Sequence, residues 1–192
     1  MNRAATQVLP SQHGVGYWTR QAAIVVSATI FVAICAHLTI PLAFTPVPLT
    51  LQNFAVLLVG VTLGSRRGFA ALALYLMEGI AGLPVFNPMG PGGLAQILGP
   101  TGGFLMVYPL VAAVAGLISE RGIRSFARTA VGCLLAELVL FAGGIGWLAV
   151  LTHSASLAMR YGFYWFVFAE IIKVMMAAGL STGWRRAGKS QA

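Results

Sequence analysis

The segment Thr45–Phe86, TPVPLTLQNFAVLLVGVTLGSRRGFAALALYLMEGIAGLPVF, indicates the fold class of this chain. Two apolar runs in it are separated by Gly64 and the basic pair Arg66 and Arg67, and prolines flank both runs. Glycine and proline mark breaks between elements, and basic residues at the edge of an apolar run mark a membrane surface. The segment therefore predicts two membrane helices joined by a short turn.

The composition of the whole chain is typical of a polytopic membrane protein. Of its 192 residues, 58% are hydrophobic and 8% are charged, and the mean hydropathy is +0.86. A soluble domain averages about 25% charged residues, and a disordered chain is polar and highly charged. Both of these classes are excluded, and a bundle of six helices of about 20 residues fits the length.

Apolar runs and their breakers predict an all-α integral membrane protein with six spans. These spans cover residues 21–40, 50–64, 68–80, 103–119, 127–151 and 162–182. The second and third are short for a bilayer, and the second is expected to begin with extended backbone. The chain 1–192 is therefore expected to form a single transmembrane domain.

The distribution of basic residues predicts the orientation. The chain has 12 Lys and Arg against four acidic residues. With both termini in the cytoplasm, the inner side holds Arg3, Arg20, Arg66, Arg67, Arg121, Arg124, Arg128, Arg185, Arg186 and Lys189. Only Arg160 then lies outside, and Lys173 lies within the membrane. This positive-inside bias predicts an N-in, C-in topology and explains the basic charge without nucleic acid.

Two apolar loops are predicted on the outer side. Segments 40–54 and 82–104 contain three and four prolines, and the second is also rich in glycine. Such a segment cannot form a regular helix, yet it is too apolar for a freely solvated loop. We expect it to fold back as a lid or re-entrant segment over a cavity. The alternative is a connecting loop packed on the helix ends.

Three ionisable residues, Glu137, Glu170 and Lys173, lie inside predicted spans. An ionisable group there costs about 2.5–3.5 kcal/mol on insertion scales, so it should face a cavity or a partner. Glu170 and Lys173 stand three residues apart and share a helix face. They offer an acceptor and a donor to an uncharged hydrogen-bonding group such as a urea. The alternative is an internal pair that only offsets two insertion costs.

Three amide side chains are further candidates. Gln52 and Asn53 enter the second span and either cap the helix or contact a ligand, and Asn87 in the second loop has the same two interpretations. Glu78 lies near the outer end of the third span, within reach of water. The sequence has no nucleotide-hydrolysing, zinc-binding or serine-hydrolase motif, so neither a metal nor a cofactor is expected.

Four elements follow each other in one order over residues 46–103: PVPLTLQ, VLLxGxxLGxRxG, ALxxYLxxGxxGLPVF and GPTGG. In this series the chain resembles the BioY family, the biotin-specific substrate-binding components of energy-coupling factor transporters. The resemblance implies biotin uptake across the bacterial cytoplasmic membrane by a protein that is not an enzyme. Biotin would bind toward the outer face, under the loops after spans one and three. The implied partners are a transmembrane coupling subunit and cytoplasmic ATPases, with a solitary transporter or a homo-oligomer as open alternatives.

The resemblance also implies which residues bind biotin. The family's acidic-x-x-Lys motif falls on Glu170 and Lys173, with Glu in place of Asp, and Gln52 falls in the TLQ element. The second loop contains no Lys or Arg, which leaves Arg160 as the candidate for the biotin carboxylate. The candidate binding residues are Glu170, Lys173, Gln52, Asn87, Gly92, Gly93, Tyr75 and Arg160.

Two other functions remain open at this point. One is the same fold with specificity for another small vitamin or precursor. The other is an integral membrane enzyme that uses Glu137 or Glu170 as a general acid or base. The sequence shows no second catalytic group near either glutamate, which disfavours the enzyme.

Overall fold

The computed structural model describes residues 14–120 and 125–189, so the predicted inner residues Arg3, Arg121 and Arg124 lie outside it. The described part is mostly helical, with one small antiparallel hairpin. In chain order its elements are α1 (Val15–His37), β1 (Thr39–Ile40), β2 (Leu49–Thr50), α2 (Gln52–Leu63), α3 (Ser65–Ile80), α4 (Gly93–Ile97), α5 (Gly102–Glu120), α6 (Phe126–Thr152), α7 (Ala155–Gly162) and α8 (Val167–Lys189).

Helix α1 ends at His37 rather than at the expected Ile40, and the chain continues as strand β1. Strand β1 pairs antiparallel with β2, which directly precedes α2. Ile40 is followed by Pro41, and a residue before proline is held to extended backbone. The hairpin therefore replaces the last predicted turn of the first span and leads the chain into α2.

Helix α2 lies at the centre of the molecule and packs against α1, α3, α5 and α8. Its Gly60 permits close approach to α5, because a Cβ atom there would overlap the backbone oxygen of Ala112. With 12 residues, α2 is about 18 Å long, which is shorter than the bilayer core of about 30 Å. Helix α2 alone is therefore too short to cross the bilayer core.

The sixth predicted span, 162–182, corresponds to helix α8, which begins at Val167 and is preceded by a separate helix, α7. Helices α7 and α8 meet at a bend of 48°, and residues 163–166 between them are not helical. The break creates a new helix N-terminus, where free N–H groups and the helix dipole favour an acidic side chain. Glu170 lies in that first turn of α8.

Three helices, α1, α5 and α6, are long and apolar enough to cross a membrane, or four spans if the bent pair α7–α8 is one of them. The count within the described residues is lower than six because α2 has 12 residues and α3 has 16. Large apolar side chains such as Ile30, Leu138 and Phe168 are exposed on the helices. Soluble proteins rarely expose such extensive apolar surface. The chain is a multi-pass membrane protein.

The end of α5 is joined to the start of α3. The carboxylate of Glu120 accepts hydrogen bonds from the backbone N–H of Ser65 at 3.2 Å and from its hydroxyl at 3.0 Å. Gly64, just before Ser65, has a φ of 87° that favours glycine. A carboxylate at a helix N-terminus is electrostatically favourable. This joint ties together two helices that supply residues around the site.

Candidate functional site

A narrow cavity lies between α2, α5, α6, α8 and the two predicted outer loops. The cavity and its opening together contain about 520 Å³ of space between atoms. The centre of a water molecule can occupy about 50 Å³ of that space. Its polar lining is Thr50, Gln52, Asn53, Asn87, Thr101, Tyr108, Glu170 and Lys173, and its apolar lining is Val47, Pro48, Phe104, Leu105, Leu140, Phe141 and Phe166.

The Glu170–Lys173 pair lies on the wall of this cavity. Lys173 Nζ donates to Glu170 Oε1 at 2.7 Å, and each residue is 7% exposed or less. The spacing of three residues, close to one helical turn, brings the two groups together. A ligand in the cavity therefore meets a negative acceptor and a positive donor side by side.

A second carboxylate is connected to this pair through Asn53. Its Nδ2 donates to Glu170 Oε2 and to Glu137 Oε1, both at 2.6 Å. Glu137, Asn53 and Glu170 come from α6, α2 and α8, and all three are at least 94% buried. The four groups of this polar cluster, Glu137, Asn53, Glu170 and Lys173, thus link three helices.

Gln52 is held toward the cavity by a tyrosine behind it. Its Nε2 donates to the hydroxyl of Tyr75 at 2.9 Å, and that hydroxyl donates to the carbonyl of Val85 at 2.7 Å. The side chain of Gln52 forms no helix cap, so the capping alternative is wrong for this residue. Tyr75 is fully buried and does not line the cavity. It connects the amide of Gln52 to the second loop.

The second loop, residues 81–101, is fixed at several points and contains the short helix α4. Gln96 Nε2 donates to the carbonyl of Asn87 at 3.3 Å, and Trp147 Nε1 in α6 donates to the carbonyl of Gly99 at 2.9 Å. Asn87 Oδ1 also accepts from the backbone N–H of Met89 at 3.2 Å. These bonds hold Asn87 in the cavity wall, so the loop packs over the cavity rather than extending into solvent.

The first loop, residues 41–48, is also fixed against the helices. The hydroxyl of Thr45 donates to the carbonyl of Tyr161 in α7 at 2.8 Å. Val47 packs in a small buried cluster with Leu148, Ala158 and Phe166. This contact positions Val47 and Pro48 at the cavity.

The structure brings four of the eight candidate residues together at the cavity: Gln52, Asn87, Glu170 and Lys173. Gly92 and Gly93 do not line it. They have φ values of 72° and 58° and form the turn into α4, which explains their glycine identity without a ligand. Arg160 is exposed on α7, outside the lining.

Helix α5 supplies lining residues that the sequence analysis did not select. Phe104, Leu105 and Tyr108 line the cavity just after the GPTGG element. Residues three or four apart share one helix face, so the spacing of Phe104 and Tyr108 was an available signal. Of the aromatic run around residues 161–168, only Phe166 is among the lining residues.

The lining suits a small ligand that carries both polar and apolar groups. Carboxylate, ammonium and amide groups line the cavity together with aromatic side chains. Binding sites commonly combine apolar walls with a few fixed polar groups of this kind. Within the described residues, no cluster of side chains could hold a metal ion.

Comparison with known sequences identifies relatives over most of the chain. The family model "BioY family" matches residues 2–190. The chain is 38% identical over 150 residues to a biotin transporter BioY of Thermotoga maritima, covering 78% of this chain and 86% of that protein. It is 40% identical over 150 residues to the biotin transporter BioY2 of Lactococcus lactis, covering 76% and 79% respectively.

Comparison with solved structures gives the same fold. A crystal structure of the S-component for biotin from an ECF-type ABC transporter matches with a TM-score of 0.80 over 90% of this chain and 94% of that chain. The sequences are 22% identical, so this match bears on the fold alone. Since the family model covers nearly the whole sequence and close relatives cover most of it, this chain belongs to the BioY family.

Proposed function

We propose that this chain takes up biotin across the cytoplasmic membrane and binds it in the cavity between α2, α5, α6 and α8. The observation that carries the proposal is the buried Glu170–Lys173 pair, held at 2.7 Å on the cavity wall. Relatives with 37–40% identity are named biotin transporters, which supports this ligand over other small molecules.

The polar end of biotin is a cyclic urea with two N–H donors and one carbonyl acceptor. Glu170 can accept from an N–H, and Lys173 can donate to the carbonyl, so the pair matches both kinds of group. Gln52 and Asn87 supply further amide groups beside the pair. Buried polar groups need such partners, because each unpaired one costs about 1–3 kcal/mol. The apolar ring and chain of biotin would pack against Phe104, Phe141 and Phe166.

The biotin carboxylate needs a separate partner. Lys173 is the only cationic side chain among the lining residues, and Glu170 already engages it. We propose Arg160 for this role. It lies on α7, the helix whose Tyr161 carbonyl holds Thr45 of the first loop. Its exposed side chain would have to turn toward the mouth of the cavity.

We further propose six spans with both termini in the cytoplasm, and assembly with a coupling subunit and ATPases. In this arrangement the hairpin and α2 together form the second span, and α3 forms the third. A membrane-facing groove between α1 and α2, lined by small residues Ala23, Ser27 and Ala28, offers close approach to another helix. The crystal structure with the same fold is an S-component from an ECF-type ABC transporter, which supports such partners. A solitary transporter and a homo-oligomer remain the alternatives.

Two other functions were considered above, and one of them remains as an alternative: the same fold with specificity for another small vitamin or precursor. The chain is not an enzyme, because it belongs to the BioY family and the relatives it matches over most of its length are named biotin transporters. A different vitamin would keep the fold and change the polar contacts at the cavity.

The test is equilibrium binding of radiolabelled biotin to the purified chain in detergent, with desthiobiotin and thiamine as competitors. We expect saturable binding that desthiobiotin displaces and thiamine does not. Binding that thiamine displaces would point to another specificity. A folded sample that binds no biotin would overturn the proposal.

A further inference from the structure

The polar cluster contains more negative than positive groups. Glu137 and Glu170 both accept from Asn53 Nδ2 at 2.6 Å, and Lys173 pairs with Glu170. Among the described residues, no cationic side chain forms an ion pair with Glu137. An isolated ionised carboxylate is costly in a buried, water-poor site. One extra proton would make the cluster neutral.

The hydrogen bonding of the cluster indicates where that proton is held. Two buried side-chain oxygens in the described part have no hydrogen-bond partner, Asn53 Oδ1 and Glu137 Oε2. They belong to the same amide and carboxyl groups that the Nδ2–Oε1 bond already joins. A hydrogen on Oε2 would turn one unmatched acceptor into a donor for the other. An amide and a carboxylic acid would then form two hydrogen bonds instead of one.

We propose that Glu137 is a proton-binding site next to the ligand cavity, and that tight ligand binding requires its proton. The proton comes from bulk water, resides on Oε2 and is donated to Asn53 Oδ1. Glu170 is already paired with a cation, because Lys173 donates to it at 2.7 Å. The coupling to the ligand rests on the proposed function, whereas the proton site itself does not.

The groups that face Glu137 come from several helices. Tyr108 of α5, Cys133 of α6 itself, and Glu170 and Lys173 of α8 lie within electrostatic range. The residue that α2 contributes, Asn53, is uncharged. Helix α7 packs on α6, and its Arg160 is exposed. Lys173 is thus the cationic residue among those that face Glu137, and it forms an ion pair with Glu170.

Loss of the proton would act on the ligand through Asn53 and Lys173. A second negative charge on Glu137 would compete with Glu170 for both donors. Because Asn53 and Lys173 line the cavity, the groups offered to the ligand would shift. Ligand affinity is therefore expected to be full at low pH and to fall as pH rises past the point where Glu137 ionises.

The experiment compares the wild-type chain with Glu137→Gln between about pH 6 and about pH 9, using radiolabelled biotin in detergent. Gln has the shape of a protonated Glu and can make both hydrogen bonds. We expect the wild-type affinity to fall by about tenfold per pH unit above the ionisation point. Glu137→Gln should keep the low-pH affinity throughout, and the control Glu78→Gln should follow the wild type.

Infrared spectroscopy of the same samples detects the proton directly. The measurement on the wild-type chain does not depend on whether a variant folds. The wild type should show the C=O stretch of a protonated carboxylic acid, lost on raising pH in parallel with affinity and absent from Glu137→Gln. A pH dependence that persists in Glu137→Gln, or a wild type without the band, would overturn the proposal. If biotin binds at no pH while the band is present, the proposed function fails and the proton site stands.

Discussion

Glutamates occur in two contrasting settings along the apolar helices of this chain. Glu137 and Glu170 are buried beside a cavity, and their partners come from α2 and α8. Glu78 in α3 is partly exposed, and its Oε1 lies 3.2 Å from the hydroxyl of Thr29 in α1. The groove around Glu78 is otherwise lined mainly by apolar residues. The two buried carboxylates belong to a cluster of several polar groups, whereas the carboxylate of Glu78 has one hydrogen-bond partner among the described residues.

The difference shows that a charge inside an apolar run does not by itself mark a binding site. Removing one member of a buried, paired cluster leaves the others unpaired in a water-poor environment, which is costly. The removal of a carboxylate that lies near water leaves no buried cluster with an unpaired member. The partners supplied by other helices, rather than the position in the sequence, therefore distinguish Glu170 from Glu78.

The largest effect should come from Lys173→Met, which removes the cation of the polar cluster. We expect the dissociation constant for biotin to rise by about a hundredfold, since a hydrogen bond from a charged group to the ligand contributes up to about 3 kcal/mol. Equilibrium binding in detergent measures it, with size-exclusion chromatography to establish that the variant folds. Unchanged affinity in a folded sample would remove the cluster from the binding site.

A smaller effect is expected from Tyr75→Phe, which acts from behind the cavity. The change removes the hydroxyl that accepts from Gln52 and donates to Val85. The loss should be about tenfold in affinity, since each net hydrogen bond contributes about 0.5–1.5 kcal/mol. Tyr164→Phe, at an exposed tyrosine, is the matched control and should bind as the wild type does. Equal effects of the two variants would contradict the positioning role of Tyr75.

Arg160→Ala tests whether a residue outside the lining contacts the far end of the ligand. We expect affinity for biotin to fall about fivefold, because an exposed ion pair contributes up to about 1 kcal/mol. Affinity for biotinol, which lacks the carboxylate, should change by less than about twofold. The ratio of the two losses is the measurement, and equal losses would assign the carboxylate to another residue.

Glu78→Gln should have the smallest effect. Its single contact with Thr29 predicts a change in biotin affinity within about twofold. Competition binding against the wild type resolves a difference of that size. A loss as large as that of Lys173→Met would break the comparison, because it would make the groove between α1 and α3 part of the site.

The parts of the fold that local sequence encodes could be predicted. The Glu170–Lys173 pair depends on a spacing of one helical turn, and the apolar, proline-rich second loop could not be an ordinary helix or a solvated loop. The interruption between α7 and α8 lies in an unbroken apolar and aromatic run, where no glycine or proline after Gly162 announces it. Local pattern therefore placed the start of the sixth span five residues before the start of α8.

Contacts between distant residues could not be predicted in the same way. Asn53 is 84 residues from Glu137 and 117 residues from Glu170, and no periodicity encodes which helices meet. The same limit applies to Tyr75, whose partners Gln52 and Val85 lie in α2 and in the second loop. Gly92 and Gly93 entered the predicted site through the family resemblance, and sequence alone does not distinguish a turn glycine from a glycine near a ligand.

The fastened second loop has a consequence for the rate of ligand exchange. Bonds from Tyr75 and Trp147 hold the loop over the cavity, and a bond from Gln96 to Asn87 fixes the loop internally. A ligand that enters past this loop needs these bonds to open, and association is slowed by the fraction of time for which they are open. The same barrier delays escape once the loop has closed again. A long residence time would let a dilute vitamin stay captured until the slower transport step.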